Sequence, residues 1–237
     1  MPISPERFVY PLRSIQFLAE LVFPQQQWQL ADLQRLHAKC FERPDSRYVN
    51  FQLVQNGCTM SNPVSQQGAV SAAIVLPDRV RLQEQLTGMA REDFEKRLDA
   101  FARAVFSELK VPHFAAQQFA VQSLATPRVA QNSVELMGKS MLSFSGDDYQ
   151  LFERPPLLMG VRMSFPTAPV DEGQFHSRIE TMQRDPKSIF LENVGVFRTQ
   201  VGEPECGRLI AQFVQTYDWV REQLLGWVER CEGRYVP

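Results

Sequence analysis

Hydrophobic and polar residues alternate cleanly near the start of the chain. In residues 15–23 an apolar side chain occupies every odd position, and Gln16 and Glu20 lie between them. A period of two is typical of a half-buried β-strand. Pro24 ends the alternation, and residues 28–41 then carry leucines and a cysteine at intervals of three and four. The chain is therefore predicted to begin with a strand followed by an amphipathic helix.

The rest of the first half continues with strands and closes on a long helix. Residues 47–57 alternate again, and residues 68–76 and 79–86 are apolar runs separated by Pro77 and Asp78, a turn sequence. Residues 91–110 place an apolar residue every three or four positions after an acidic start. The predicted order is strand, helix, three strands, long helix.

The second half runs through the same order. Strands are predicted at residues 115–125, 155–165, 174–183 and 188–197, and helices at 132–144, 145–152 and 204–233. Asn132 or Ser133 would cap the first of these helices, and Ser145 and Asp148 have capping-box spacing. Glu192 follows Glu84 by 108 residues, so the two carboxylates look like equivalent positions of a repeat.

These patterns predict an α+β fold. Two similar β-α-β-β-β-α halves, residues 1–111 and 112–237, would form one extended antiparallel sheet with helices packed on one face, in one continuous structural domain. The alternative, that two α+β halves share a common pattern by chance, stays open. In element order the fold resembles the duplicated saddle of the TATA-binding protein or two fused ferredoxin-like units, a likeness that carries no function.

Composition narrows the class of protein without naming an activity. The chain has 237 residues, of which 44% are hydrophobic and 22% charged, and its net charge is -2. These values indicate a globular protein with no overall attraction to nucleic acid or to an anionic membrane. No apolar run is long enough to span a bilayer, and the N-terminus lacks the apolar core of a signal peptide. The cysteines, Cys40, Cys58, Cys206 and Cys231, form no CxxC pair. We therefore expect reduced thiols and a cytoplasmic location.

Two short motifs suggest chemistry but lack their required context. The "GKS" at residues 138–140 ends like a phosphate-binding loop, yet Ser133 stands where the signature needs glycine, and the surrounding residues look helical. His37 and Cys40 have the spacing of two metal ligands on a helix, but no second local pair completes a site. Ordinary packing explains both, so we expect no metal and no cofactor.

The polar side of the predicted sheet gathers the main candidates for function. It would hold Glu20, Asn50, Gln52, Gln118, Gln122, Arg162, His176, Arg178 and Glu180, joined by Glu84 and Glu192 if the parity of their strands allows. Arg162, Arg178 and Glu192 would form a site for an anionic small molecule, with His176 or Glu180 as acid or base. A solvated ladder of Arg–Glu pairs is the more common explanation of such residues.

The last helix suggests a different kind of site. Tyr217, Trp219 and Trp227 place large aromatic surface on it, and Trp219 falls beside the apolar stripe. Aromatic residues concentrate in binding hot spots, so the helix would serve a protein partner or self-association, including a homodimer. The alternative is that Trp219 packs against another part of its own fold.

Three segments resemble a sporadically distributed family of uncharacterised prokaryotic proteins. They are "PLRSIQFLAELVF", "FHSRIETMQRDPKSIFLENVGVF" and "LIAQFVQTYDWVREQLLGWV", and the likeness around them covers about half of the chain. The family's acidic signature at the end of the late strand is present only as "LENVGV". The resemblance implies no chemistry that can be assigned to residues.

The sequence favours a non-enzymatic binding or assembly protein that uses a sheet face and the aromatic C-terminal helix. The alternative is an enzyme or sensor that binds an anionic small molecule on the polar sheet face. Nucleic-acid binding is a third interpretation, disfavoured because acids and glutamines are interleaved with the arginines.

Overall fold

The centre of the molecule is a nine-stranded antiparallel sheet. The structure, a computed structural model, describes residues 12–128, 130, 132–154, 156–168 and 172–235. The strands are β1 (Arg13–Val22), β2 (Asn50–Val54), β3 (Gly57–Ser61), β4 (Val70–Leu76), β5 (Arg79–Gln85), β6 (Ala116–Ala125), β7 (Gly160–Phe165), β8 (Gly173–Thr181) and β9 (Ile189–Phe197). Their order across the sheet is β2-β3-β4-β5-β1-β6-β9-β8-β7.

Helices pack on one face of this sheet, which confirms the predicted α+β class. They are α1 (Leu30–Glu42), α2 (Arg91–Leu109), α3 (Ser133–Leu136), α4 (Gly146–Leu151), α5 (Cys206–Asp218) and α6 (Leu225–Glu232). A π-helical turn, Trp219–Leu224, joins α5 to α6, and another, Met137–Met141, continues α3. The predicted caps are confirmed, because Asn132 accepts from the Glu135 backbone N–H and Ser145 and Asp148 form a capping box. None of these helices is both long and apolar enough to cross a membrane.

The core lies between the sheet and the helices and is rich in aromatic rings. Phe213 of α5 lies 5.6 Å from Phe17 of β1, 4.9 Å from Phe94 of α2 and 6.1 Å from Phe119 of β6, measured between ring centroids. Such offset and edge-on ring pairs add to the free energy gained by burial. The cluster draws on both halves of the sequence, so one core serves the whole sheet.

The two halves meet at the middle of the sheet. Strands β1 and β6 pair antiparallel over nine residue pairs, with the other strands of residues 1–111 on one side and those of residues 112–237 on the other. This strand order does not by itself establish a duplication, which stays a prediction.

The first half has four strands after its helix, not the predicted three. The single strand predicted at residues 47–57 is the first arm of a hairpin, β2 and β3, that turns at Gln55 and Asn56. Asn56 takes a left-handed backbone conformation, with φ 62°, which asparagine tolerates better than most residues. The Asn56-Gly57 dipeptide is a strong hairpin signal that the alternation pattern obscured.

Glu84 and Glu192 do not occupy equivalent positions. Glu84 lies opposite Phe17 and faces the helices, where it is buried. Glu192 lies opposite Gln122 and Arg178 on the other face. The strand registers thus place the two glutamates on opposite faces of the sheet, so their separation of 108 residues does not mark a repeated position.

Candidate functional site

The face of the sheet that points away from the helices, called here the open face, carries nearly all the residues predicted for it. One row of cross-strand neighbours runs through Gln85, Gln16, Gln122, Glu192, Arg178 and Arg162. Glu20, Asn50, Gln52, Gln118, His176 and Glu180 lie on the same face, and Glu84 does not. The face is therefore polar along several rows of the sheet.

One charged cluster occupies the β7 side of the open face. The Glu192 carboxylate accepts a hydrogen bond from Gln122 Nε2 at 2.5 Å and lies 3.0 Å from Arg178 Nε. Glu180 lies 3.5 Å from both Arg178 and Arg162. The Arg178 guanidinium also lies over the Phe190 ring, 4.7 Å from its centroid. The predicted ligand-binding residues are thus brought together, but each arginine already has a carboxylate partner.

A second charged cluster lies on the β5 side. Glu20 of β1 pairs with Arg79 at 3.0 Å and with Arg81 at 2.5 Å. Asp78, in the turn before β5, binds Arg79 at 2.8 Å. These hydrogen bonds lower the pKa of the Asp78 carboxyl and raise that of the Arg79 guanidinium. Charged forms are therefore favoured on both partners.

In each cluster a well-exposed arginine lies beside a largely buried glutamate. The Glu20 and Glu192 side chains are 11% and 18% exposed, whereas Arg81 and Arg162 are 44% and 77% exposed. Solvent and any partner therefore meet guanidinium groups first on this face.

Aliphatic side chains occupy the space between the two charged clusters. Leu18, Ala120 and Val194 are direct neighbours on three adjacent strands, and Val196 lies in the next row. Leu18, Val194 and Val196 are half-buried although the helices pack on the other face. We call these four residues the apolar centre; Gln122 and Gln118 border it along β6.

His176 and Glu180, the predicted acid or base residues, do not meet. Arg178 lies between them on β8, and the hydrogen bond that His176 makes through Nδ1 joins it to Ser164 Oγ at 3.0 Å. Both members of the Ser164–His176 pair are exposed. General acid–base catalysis needs a bound substrate within hydrogen-bonding reach, and an exposed Ser–His pair does not by itself provide a binding pocket.

The aromatic residues of the last helix pack against their own fold. The Trp219 ring stacks on Phe175 at 4.5 Å, and its indole N–H donates to Ser177 Oγ at 3.2 Å. Tyr217 lies 6.2 Å from Phe17, and Trp227 packs half-buried against the core. These intramolecular contacts account for all three side chains. Their predicted role in an interface stays a prediction without support from the packing.

Two cavities lie outside the middle of the open face. One, of about 510 Å³, lies at the start of β7 and is lined by Leu158, Met159, Gly160, Arg162, Glu180 and Thr181. The other, of about 570 Å³, lies before α2 and has Lys96 and Arg97 in its wall together with Asp45 and Asp93. Only the first contains residues that the sequence had singled out.

The short motifs have structural roles. His37 Nε2 hydrogen-bonds the Tyr48 carbonyl at 3.0 Å, and burial raises the pKa of the Cys40 thiol to about 12, so a thiolate ligand is disfavoured there. Within the part of the chain that the structure describes, no three potential metal ligands cluster. Residues 138–140 lie in a π-helical turn, where Lys139 pairs with Glu135 at 2.9 Å.

Sequence reasoning missed Arg79, Arg81 and the apolar centre. The parity of β5 was ambiguous, because Val80 and Leu82 alternate with arginines but Glu84 continues on the apolar side. The assignment of residues to a face of the sheet assumes that apolar and polar residues alternate, and a buried carboxylate breaks this alternation. The apolar centre had no sequence signal, since aliphatic residues on both sides of β6 and β9 make the two faces look alike.

Comparison with known proteins assigns no relatives. No protein-family model matches the chain, and no curated protein is significantly similar to it.

Proposed function

We propose that the chain is a non-enzymatic binding protein that holds a protein partner on the open face of its sheet. The observation that carries this proposal is the apolar centre of Leu18, Ala120, Val194 and Val196 lying between two arginine–glutamate clusters. Protein interfaces commonly have this anatomy, with a less charged core surrounded by a polar rim. A cytoplasmic location is part of the same proposal and is compatible with the four free, buried cysteines.

The exposed charges indicate the chemistry of the partner. Arg81 and Arg162 extend furthest into solvent, while Glu20 and Glu192 are largely buried. A partner with an apolar ridge bordered by aspartate or glutamate would cover the apolar centre and reach these arginines. Complementary charge at a rim steers association and orients the partner more than it adds affinity.

The same features favour a protein over a nucleic acid. Single-stranded nucleic acids are bound by unpaired cations and by exposed aromatic rings on which bases stack. On the open face, Arg79, Arg81 and Arg178 are all ion-paired, and the ring of Phe190 is covered by Arg178. Glutamines and aliphatic residues fill much of the remaining surface.

A photo-crosslinking amino acid at Val194 tests the proposal in the cells that make the protein. We expect Val194 to form a covalent adduct with one protein, and the matched position Arg103, exposed on the outer side of α2, to form none. The protein identified in the adduct should then bind the purified chain. Binding should be weaker with Leu18→Glu and Arg81→Glu than with Arg103→Glu, because only the first two change the open face.

Three outcomes would contradict this function. They are equal crosslinking at Val194 and Arg103, an adduct with nucleic acid at Val194, and binding of the identified protein that is unaffected by Leu18→Glu. Circular dichroism of each variant confirms that the fold is retained, since Leu18 and Arg81 project from the face away from the core.

The cavity beside Arg162 favours one second candidate, a site for an anionic small molecule. Arg162 is 77% exposed and lies 3.5 Å from Glu180, so an anion could draw it away from this weak partner. Phosphorylated and carboxylated metabolites should then raise the melting temperature of the wild type but not of Arg162→Ala. If no compound stabilises the wild type selectively, this candidate fails.

A further inference from the structure

The outer edge of β7 is a second surface of interest, separate from the open face. Among the residues that the structure describes, β7 ends the strand order, next to β8. A strand at the end of a sheet presents unpaired backbone N–H and C=O groups, which form a template for another strand.

The hydrogen bonds at the start of β7 fix the direction of its backbone groups. The Thr181 N–H donates to the Met159 carbonyl at 2.9 Å, and the register continues with Val161 opposite Ile179 and Met163 opposite Ser177. In an antiparallel ladder the residues that bond to the neighbouring strand alternate with residues that do not. Odd-numbered residues of β7 therefore bond to β8. Gly160, Arg162 and Ser164 direct their backbone groups outward.

Large apolar side chains in the segment that leads into β7 are unusually exposed. Leu151 and Leu157 are 81% and 74% exposed, and Phe152 and Leu158 are also exposed. At β2, the opposite edge of the sheet, Leu53 is the most exposed apolar residue of the strand, at 52%. Contiguous exposed apolar surface marks an interaction site more often than scattered residues do. The β7 edge is therefore the better candidate.

We propose that β7 pairs antiparallel with β7 of a second copy of this chain, about a two-fold axis through Met163. In this register Arg162 lies opposite Ser164 of the other copy, and Gly160 lies opposite Pro166. The outward backbone groups would then make about six hydrogen bonds, because Pro166 can accept although it cannot donate. The two nine-stranded sheets would join into one.

Self-pairing fits the side chains as well as the backbone. Val161, Met163 and Phe165 share the helix-facing side of β7, so the proposed register places Val161 opposite Phe165 and Met163 opposite its own copy. Moving the axis to Arg162 would place two guanidinium groups directly opposite each other, which is unfavourable in a cross-strand pair. In the proposed register each Arg162 instead lies opposite the hydroxyl group of Ser164. We therefore propose a second copy, rather than an unrelated strand, as the occupant, because its own β7 supplies this match.

Disulfide crosslinking tests the register directly. Met163 would be a non-hydrogen-bonded pair with its own copy, whose Cα atoms lie about 4.5 Å apart, within the range of a disulfide. We expect Met163→Cys to form a covalent dimer under mild oxidation. The matched control Val161→Cys should not, because its two copies would lie roughly 13 Å apart. The four natural cysteines are buried and should not interfere.

Removal of one outward N–H provides an independent test. Ser164→Pro deletes a donor that points away from β8, so the fold should survive while the dimer is lost. Ser164→Ala keeps the N–H and should remain dimeric. Multi-angle light scattering of the wild type and both variants, at matched concentrations, measures the mass.

A monomeric wild type overturns the proposal, as does a Ser164→Pro variant that is folded and dimeric. Crosslinking by Val161→Cys equal to that by Met163→Cys would show that the register is wrong. If Ser164→Pro unfolds, the comparison of Met163→Cys with Val161→Cys still decides whether β7 pairs with β7 of a second copy. None of these outcomes bears on a partner at the open face, which the Val194 crosslink reports separately.

Discussion

One carboxylate, that of Glu84, is buried beneath the sheet on the side that faces the helices. Glu84 of β5 accepts a hydrogen bond from Ser71 Oγ at 2.8 Å and forms an ion pair with Arg97 of α2. The Arg97 guanidinium also lies near the Tyr48 ring, 5.4 Å from its centroid. Burying a charge costs free energy unless it is paired and hydrogen-bonded. The ion pair with Arg97 therefore offsets the cost of burying the Glu84 carboxylate.

Replacing Arg97 should therefore be among the most damaging single changes on α2. Arg97→Met leaves the Glu84 carboxylate buried without its cation, and we expect the free energy of unfolding to fall by about 3–5 kcal/mol. Urea denaturation, followed by circular dichroism, measures the change.

The double variant Glu84→Leu with Arg97→Met is the first control. It removes both charges and should recover most of the lost stability, because no unpaired charge is left. Arg103→Ala breaks an exposed pair with Asp99 on the same helix and should cost less than about 1 kcal/mol. A double variant as unstable as Arg97→Met would show that lost packing, not the unpaired carboxylate, explains the effect.

For single residues, the sequence predicted the strand on which each charged residue lies better than the face of the sheet to which its side chain points. His176, Arg178 and Glu180 were placed correctly on one face because β8 alternates without interruption. Glu84 was not, because a buried ion pair puts a charged residue where the pattern expects an apolar one. The partner that explains it, Arg97, is on a helix, and sequence spacing does not reveal that contact.

The terminal helix changes its hydrogen-bonding pattern at Trp219. Just before that point, Asn193 Nδ2 donates to the Thr216 carbonyl at 3.2 Å, and Asn193 Oδ1 accepts from Ser177 Oγ. A side chain that binds a helix carbonyl competes with the regular backbone bond, a recognised cause of π-helical turns and kinks. Ser177 also accepts from the Trp219 indole, so Asn193 links β8, β9 and the helix.

Asn193→Leu should destabilise the protein by about 2–3 kcal/mol. The substitution leaves Ser177 and the Thr216 carbonyl without the partners that Asn193 provides, and unsatisfied buried groups cost about 1–3 kcal/mol each. Urea denaturation monitored by tryptophan fluorescence measures the loss. Arg208→Ala, which removes an exposed ion pair with Glu172 from the same helix, should cost less than about 1 kcal/mol. Equal effects of the two substitutions would contradict the linking role of Asn193.

Most elements could be predicted from periodicity because their buried sides are regular. The last helix, for example, was predicted from residues 204–233 and is observed from a 3₁₀ turn at Glu203–Glu205 to Glu232. The π-helical turn inside it could not be predicted, since it depends on Asn193 from a different strand. The β2–β3 hairpin was missed because the alternation of apolar and polar residues along β2 was read as continuing through the turn into the start of β3.

The single core makes the two sequence halves interdependent. Phe213 contacts Phe17 and Phe94 from the first half, and β1 pairs with β6 over nine residue pairs at the centre of the sheet. Whether the halves arose by duplication does not affect this point, because the shared core is a property of the folded chain.

Residues 1–111 and 112–237 should not fold when they are produced separately. Each fragment would expose half of the aromatic cluster and one side of β1 or β6, so we expect no cooperative unfolding transition from either fragment alone. Mixing the two should restore near-ultraviolet circular dichroism and a single transition. The intact chain, residues 1–237, is the control. A cooperative transition from one isolated fragment would show that its half is an independent domain.

The pairing of β1 with β6 also has a consequence during synthesis on the ribosome. Arg13 is paired with Leu124, so β1 must wait for more than a hundred further residues before its second neighbour exists. At about 5–20 residues per second this delay lasts roughly 5–20 s. During that time the apolar side of β1 lacks α5, and α2 is the element already made that covers it, through Phe94 against Phe17. Contacts so distant in sequence also slow folding, so the nascent chain would depend on cellular chaperones for as long as the sheet is incomplete.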